Sequence, residues 1–387
     1  MDFKKVKLGA LAASLLLSLA GPASSAMAEE SVKLGANYEL TGAAASYGTP
    51  MSKGTELAVK QRNADGGVLG GQEVELVTYD NKSDLTETSS VATRLVEEGV
   101  FAIVGPAPSG DVLSQAAVIN KAGVPAVSPA GTVDDLTKDN NGNLMEYLFR
   151  VCFEDRYQGK AGAKYVAEEL GAKKAALVVD QGTDYAQGMS KAFEEEFKAK
   201  GGEIVANESY NSGDTDFSAV LTSLMAQDFD VLFVPGYYTE VGLLIKQARE
   251  MGITQPIVGG DGYHSQTLVE LAEPQNASDI YYTTHFSPES EDPKVQQFLK
   301  DYKEEFGEEA DTFAALAYDA TNLIFDAVER AGSTDRDAVR QALSETKGFE
   351  GITGTFDMGE DNTPIKSALM LKLNNGEVES TQEVTAE

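Results

Sequence analysis

One cysteine, Cys152, stands in a chain of 387 residues. A single thiol cannot close an internal disulfide, and a lone cysteine in apolar company is more often core than nucleophile. The fold must therefore rest on its hydrophobic core, which 359 residues beyond a leader can supply for two domains. Only two histidines occur, His264 and His285, so a histidine metal cluster or a Ser-His-Asp triad would have to make do with one of them. No G-x-S-x-G elbow and no Walker A loop is present. These gaps predict no enzyme, no metal and no cofactor.

Long apolar runs are equally scarce. Residues 1–28 carry Lys4, Lys5 and Lys7, the stretch "LGALAASLLLSLAG" and an A-x-A ending at Ala26–Ala28, the pattern of a cleaved secretory leader. That run is too short for a stop-transfer helix, and nothing later approaches a membrane span. No cysteine follows the leader to carry a lipid, so an exported chain with no membrane anchor is expected. Basic residues are also few: the net charge is −31 for the full chain and −33 without the leader. The acids are scattered over helical stretches such as "KAFEEEFKAK", a solvated surface that argues against nucleic acid and anionic membranes.

What is present is a regular alternation. "VKLGANYEL", "EVELVTYD", "FAIVG" and "VPAVSPAG" read as strands, separated by helical patterns. A second series begins after about residue 154, with "AALVVD", "EIVANESY" and "VLFVPG". Alternation of this kind builds parallel sheets covered by helices, with ligands at the carboxyl ends of the strands. Later come "DIYYTTHF" as a strand, "FAALAYDATNLIFDAVERAG" as a buried helix, and "SALMLKLNNGEV" as a hairpin with an Asn-Gly turn. These returning elements suit a chain that crosses between two lobes. "GGVLGG" follows a helix and precedes a strand, the wrong context for a dinucleotide site, and reads as a turn. The end, "GEVESTQEVTAE", is expected to fray.

Strand ends repeat one kind of chemistry. "ELTGAAASYG" presents Tyr47, "GPAPSGD" presents Ser109, and "VSPAGTVDDL" presents Thr132. The second series presents Tyr185 in "VDQGTDYAQG", Tyr237 in "VPGYYTEVG" and Asp261 in "VGGDGYHS". Taken singly, each is an ordinary turn or cap. For Ser109 the local reading leaves two uses open, an N-cap of the helix that follows or an anion site at its start. Together they place hydroxyls at helix starts on one lobe and tyrosines with an acid on the other. Such a cleft can hold a molecule with one negative and one positive end.

In that order, "LTGAAASYGTPMSKGTELAVKQRNADGGVLGGQEVELVTYDNKSD", "AIVGPAPSG", "GVPAVSPAGT", "DYAQG" and "GGDGYHS" resemble the branched-chain amino acid binding proteins of ABC transporters, over nearly the whole chain after the leader. The resemblance implies a type I periplasmic binding fold, with two doubly wound α/β lobes joined by three crossovers near residues 153, 286 and 368. The first lobe would span 29–153 plus 287–367, the second 154–286 plus 368–387. It implies that Ser109 and Thr132, with backbone N–H groups of their turns, take a ligand carboxylate. The Ala130 carbonyl and the Asp261 carboxylate would take the ammonium, with Gly131 and Gly262 beside them. Tyr237 would close over the polar end, while Tyr47, Ala107, Tyr185 and Phe313 line the side-chain pocket. Some family members carry glutamate at the place of Asp261. Pro108 and Ser83 stand where a relative has a disulfide pair, so that disulfide is absent. The implied protein is a periplasmic monomer that captures leucine, isoleucine or valine for a membrane permease. A sensory module, or a binder of another small amine or amide such as urea, is the alternative.

Overall fold

The structure is a computed structural model describing residues 31–386, so the expected leader lies outside the described residues. The first half follows the expected alternation. Strands β1 (Val32–Tyr38), β2 (Val74–Asp80), β3 (Ala102–Val104), β4 (Ala126–Ser128) and β5 (Leu148–Arg150) alternate with helices α1 (Ala45–Ala64), α2 (Leu85–Glu97) and α3 (Ser109–Ala122). They form one parallel sheet in the order β2-β1-β3-β4-β5. Strands β3, β4 and the edge strand β5 are buried throughout, as befits a parallel sheet covered on both faces.

The chain then leaves this sheet and builds a second one. Helix α4 (Asp155–Glu168) is followed by β6 (Lys174–Asp180), α5 (Asp184–Ala199), β7 (Glu203–Tyr210), α6 (Ser218–Leu224), β8 (Val231–Phe233), α7 (Tyr238–Glu250) and β9 (Ile257–Gly259). A short 3-10 turn (Asp261–Tyr263), α8 (Gln266–Ala272) and β10 (Ile280–Thr284) complete this run. After β10 the chain returns to the first lobe with α9 (Pro293–Phe306), α10 (Thr312–Ala331), α11 (Arg336–Ser344) and a small antiparallel sheet. That sheet, which the sequence pattern did not announce, comprises β11 (Phe349–Gly351), β12 (Gly354–Met358) and β13 (Pro364–Ile365). A third passage leads to β14 (Ala368–Asn374) and β15 (Glu377–Val384).

Those last strands join the second sheet, whose order is β15-β14-β10-β9-β8-β6-β7. Strands β6 to β10 run parallel, whereas β14 and β15 pair antiparallel, so the sheet is mixed. The hairpin turn is formed by Asn375 and Gly376, with φ of 51° and 79°, the left-handed pair that a two-residue turn requires. The expectation of a frayed end is corrected here: residues 377–384 are a paired strand. Their backbone groups are satisfied along β14, which outweighs a polar side-chain pattern that an edge strand tolerates.

Helix α10 carries much of the first lobe's core. Fourteen of its residues are buried, Leu316, Leu323, Ile324, Phe325 and Val328 among them, which makes it a helix packed on nearly every side. It lies against α1 at Gly54, where an added Cβ would stand 2.2 Å from the Ala314 carbonyl oxygen. Such a contact accepts no larger residue without displacing a backbone. The first turn of α10 delivers Phe313 to the space between the lobes.

Candidate functional site

The carboxyl ends of both sheets face each other across a narrow cavity. About 270 Å³ of space is bounded there by Tyr47, Ala107, Pro108, Ala130, Thr132, Tyr185, Tyr237, Asp261, Gly262 and Phe313. Nine of the eleven residues expected at the site thus come together, with Pro108 as an addition.

Ser109 and Gly131 lie just behind the wall. No side chain caps α3; its cap residue is Pro108. Ser109 instead uses its Oγ to accept the Val133 N–H at 3.1 Å, tying the two turns together. Among the described residues no acceptor meets its hydroxyl proton, which remains available for a guest. Gly131 is engaged internally: its N–H donates to Ser128 Oγ, and its carbonyl accepts from Arg150 Nη1 and Cys152 Sγ, both at 3.2 Å. The neighbouring Ala130 carbonyl has no such partner among the described residues.

Arg150 is a residue the sequence reading missed. It is fully buried, and besides Gly131 it donates to the Val133 carbonyl (2.8 Å), to Thr363 Oγ1 (3.0 Å) and to Glu154 Oε1 (2.6 Å). It clamps the 131–133 turn from below. Its signal was a guanidinium inside an otherwise apolar strand, "LFRV". Cys152 beside it is core, as expected; burial pushes its thiol up to about 12. Glu39 was missed for the same reason. It is buried at the end of β1, accepts from Asn81 Nδ2 (2.7 Å) and the Ala107 N–H (3.3 Å), and burial pushes its carboxyl up to about 8.

The opposite wall is anionic and aromatic. Asp261 Oδ1 accepts from the Tyr185 hydroxyl and from Gln158 Nε2, each at 3.1 Å, and Oδ2 lies 3.3 Å from His285 Nε2. Burial drives the His285 imidazole down to about 4, so a neutral ring donates there. Asp155, also buried, is pushed well above the ordinary carboxyl range by burial and by the charge on Asp261. Tyr185 and Tyr237 stack with centroids 5.0 Å apart, and Phe313 packs on Tyr47 at 4.6 Å. Burial raises the phenols of Tyr47, Tyr185 and Tyr237 well above their ordinary value, and they are neutral.

Direct hydrogen bonds join the lobes around this cavity. The Tyr47 hydroxyl donates to the Gly262 carbonyl (2.7 Å) and accepts the Tyr238 N–H (3.2 Å). The Tyr238 hydroxyl donates to the Ala43 carbonyl at 2.7 Å, and Ser46 Oγ meets Thr267 Oγ1 at 2.9 Å. Among the described residues, no group of three or more His, Cys, Asp or Glu side chains is placed to hold a metal ion, and no helix is long and apolar enough to cross a membrane.

Comparison with known proteins agrees with this architecture. Residues 31–377 match the family described as periplasmic binding protein. The Leu/Ile/Val-binding protein BraC3 of Rhizobium johnstonii is 31% identical over 90% of this chain and 92% of its own. Leu/Ile/Val-binding protein homolog 3 of Brucella melitensis is 32% identical over 93% and 94%. Among solved structures, the branched-chain amino acid transporter substrate binding protein LivJ from Streptococcus pneumoniae, in complex with isoleucine, is 44% identical. It covers 92% of this chain and 99% of its own with a TM-score of 0.86. The leucine binding protein LivK from Thermotoga maritima is 34% identical, covering 92% and 98% with a TM-score of 0.84. With its two α/β lobes, three crossovers and interlobe cavity, the chain belongs to the periplasmic binding protein family of solute-binding proteins.

Proposed function

We propose that this protein captures a free aliphatic amino acid, leucine, isoleucine or valine, between its lobes and hands it to the permease of an ABC importer. The observation that carries the reading is the polarity of the cavity. Ser109 and Thr132 with the helix start at α3 offer donors at one end. Asp261 and the free Ala130 carbonyl offer acceptors at the other, and aromatic rings close the sides. A zwitterion is costly to bury unless both of its ends are paired, and this cavity offers a partner to each. Asp261 favours an amine over urea or an aromatic acid. The names and the bound isoleucine of the similar proteins support the same class.

The lobes divide at 29–153 plus 287–367 and 154–286 plus 368–387, and the protein works as a monomer in the periplasm, exported by its leader and without a lipid anchor. It binds and releases without chemistry. Calorimetry with leucine, isoleucine, valine, urea and benzoate tests the ligand class. Asp261→Asn should cost about 2–5 kcal/mol of leucine affinity, the range for removing one partner of a desolvated charge pair, with the melting temperature of the free protein nearly unchanged. Wild-type leucine affinity in that variant would overturn the assignment.

A further inference from the structure

The groups that hold Asp261 share one property: each is neutral. Tyr185 donates a phenol, His285 a neutral imidazole, and Gln158 an amide. No cation of the protein bonds this carboxylate among the described residues. Gln158 stands out among the three because its whole hydrogen-bonding capacity converges here. Its Nε2 donates to Asp261 Oδ1 at 3.1 Å and to Asp155 Oδ1 at 2.9 Å. Its Oε1 accepts the Asp261 backbone N–H at 3.1 Å and the Thr283 hydroxyl at 2.7 Å. Two donors and two acceptors are all a glutamine has. The side chain is only 1% exposed, so no water competes for these bonds.

Gln158 lies in the first turn of α4, just beyond the first crossover, and Thr283 lies on β10, just before the second. The amide therefore fixes both the backbone and the carboxylate of Asp261 relative to the two connections between the lobes. We propose that Gln158 is a positioning residue of the ammonium subsite, aiming the Asp261 carboxylate into the cavity while leaving its charge for the ligand. This rests on the reading of Asp261 as the ammonium partner. The choice of an amide follows from the chemistry. A lysine or arginine at this place would occupy Asp261 itself, and an ionised acid would repel it. An amide holds the carboxylate by hydrogen bonds without cancelling its charge. Asp155, whose carboxyl burial and the charge on Asp261 push well above the ordinary range, adds no cation, and in this setting the bound ammonium is the cation that Asp261 meets.

The test uses Gln158→Met, which keeps the length and removes every hydrogen bond. Gln158→Asn, which keeps a buried amide but shortens its reach, serves if the first variant fails to melt cooperatively. Leucine affinity is measured by calorimetry and should weaken about tenfold or more, as for loss of a hydrogen bond to a charged group. Imidazole signals of the protein labelled with nitrogen-15 histidine provide the second readout. His285 bonds Asp261 and its signal should move, whereas His264, which bonds Thr284, should stay in place. Leucine affinity within about twofold of wild type would overturn the proposal. So would weaker binding with both imidazole signals unmoved, since Gln158 would then act by packing alone. Asp261→Asn is run alongside. Wild-type affinity in that variant refutes the ammonium assignment itself; loss there with retention in the Gln158 variants refutes only the positioning role.

Discussion

Replacing Ser109 by alanine separates two uses of one hydroxyl. In the free protein Oγ accepts the partly buried Val133 N–H at 3.1 Å, and it caps nothing in its own helix. Its removal leaves that N–H unpaired, at a cost of about 1 kcal/mol, the net worth of an ordinary hydrogen bond. In a chain of this size that lowers the melting temperature by no more than about 2 °C. In the proposed complex the same hydroxyl would donate its unused proton to the ligand carboxylate. A hydrogen bond to a charged group is worth about 1.5–3 kcal/mol, or roughly 10- to 150-fold in affinity. The variant should therefore melt almost like wild type and bind leucine far more weakly. Leucinamide supplies the control, since it lacks the charged oxygen. Wild type should strongly prefer leucine over the amide, and Ser109→Ala should narrow that preference. Calorimetry with both ligands decides. If the variant melts earlier but binds leucine like wild type, the hydroxyl only braces the two turns and the carboxylate lies elsewhere.

Tyr47→Phe removes one hydroxyl that makes two bonds across the cleft, to the Gly262 carbonyl and from the Tyr238 N–H. Closure should weaken by about 1–2 kcal/mol, seen in stopped-flow as leucine dissociation roughly 5- to 30-fold faster at a little-changed association rate; an unchanged dissociation rate would show that these bonds do not hold the lobes shut. Both imidazoles, His264 and His285, are held down at about 4 by burial, against 6.5 in an unfolded chain. Their contribution to stability is complete above pH 6.5 and is lost as the pH falls through that interval toward 4, because the unfolded state takes up the protons first. Histidine signals of the folded protein should accordingly keep their neutral positions from pH 8 down to about 5, and a midpoint near 6.5 for either ring would contradict its burial.

The sequence made the cavity's outline legible because α/β alternation puts functional residues at predictable places, the ends of strands. Tyr47, Thr132, Tyr185, Tyr237 and Asp261 each sit at such an end, and the fold gathers them. Ser109 and Gly131 were assigned from the same turns, yet the turns curl so that their polar atoms partly serve each other. The supporting residues were hidden for a different reason. Gln158 meets an aspartate 103 positions away and a threonine 125 positions away, and nothing local marks a glutamine at a helix start as anything but solvated. Arg150 and Glu39 carried a visible clue, a charged side chain within a buried strand or directly after one. Such a residue is costly unless satisfied, so it announces a polar network without saying what the network holds. The last strand misled because its side chains are polar, while its stability comes from backbone pairing that composition does not display.

The order of strands in the second sheet has a consequence for the life of the chain before it is folded. Strand β10 finds its antiparallel neighbour only in β14, with Ile280 opposite Leu373, and the sheet ends with residues 377–384. The first sheet has all its strands by residue 150 but waits for α10, residues 312–331, to cover it. A polypeptide made from its N-terminus can therefore complete neither lobe until most of its length has been synthesised, and pairing over such separations is slow. The back-and-forth path that gives the two lobes three connections thus also delays compaction, and a chain exported as proposed above would gain time to be threaded across a membrane before it acquires a shape that could not pass.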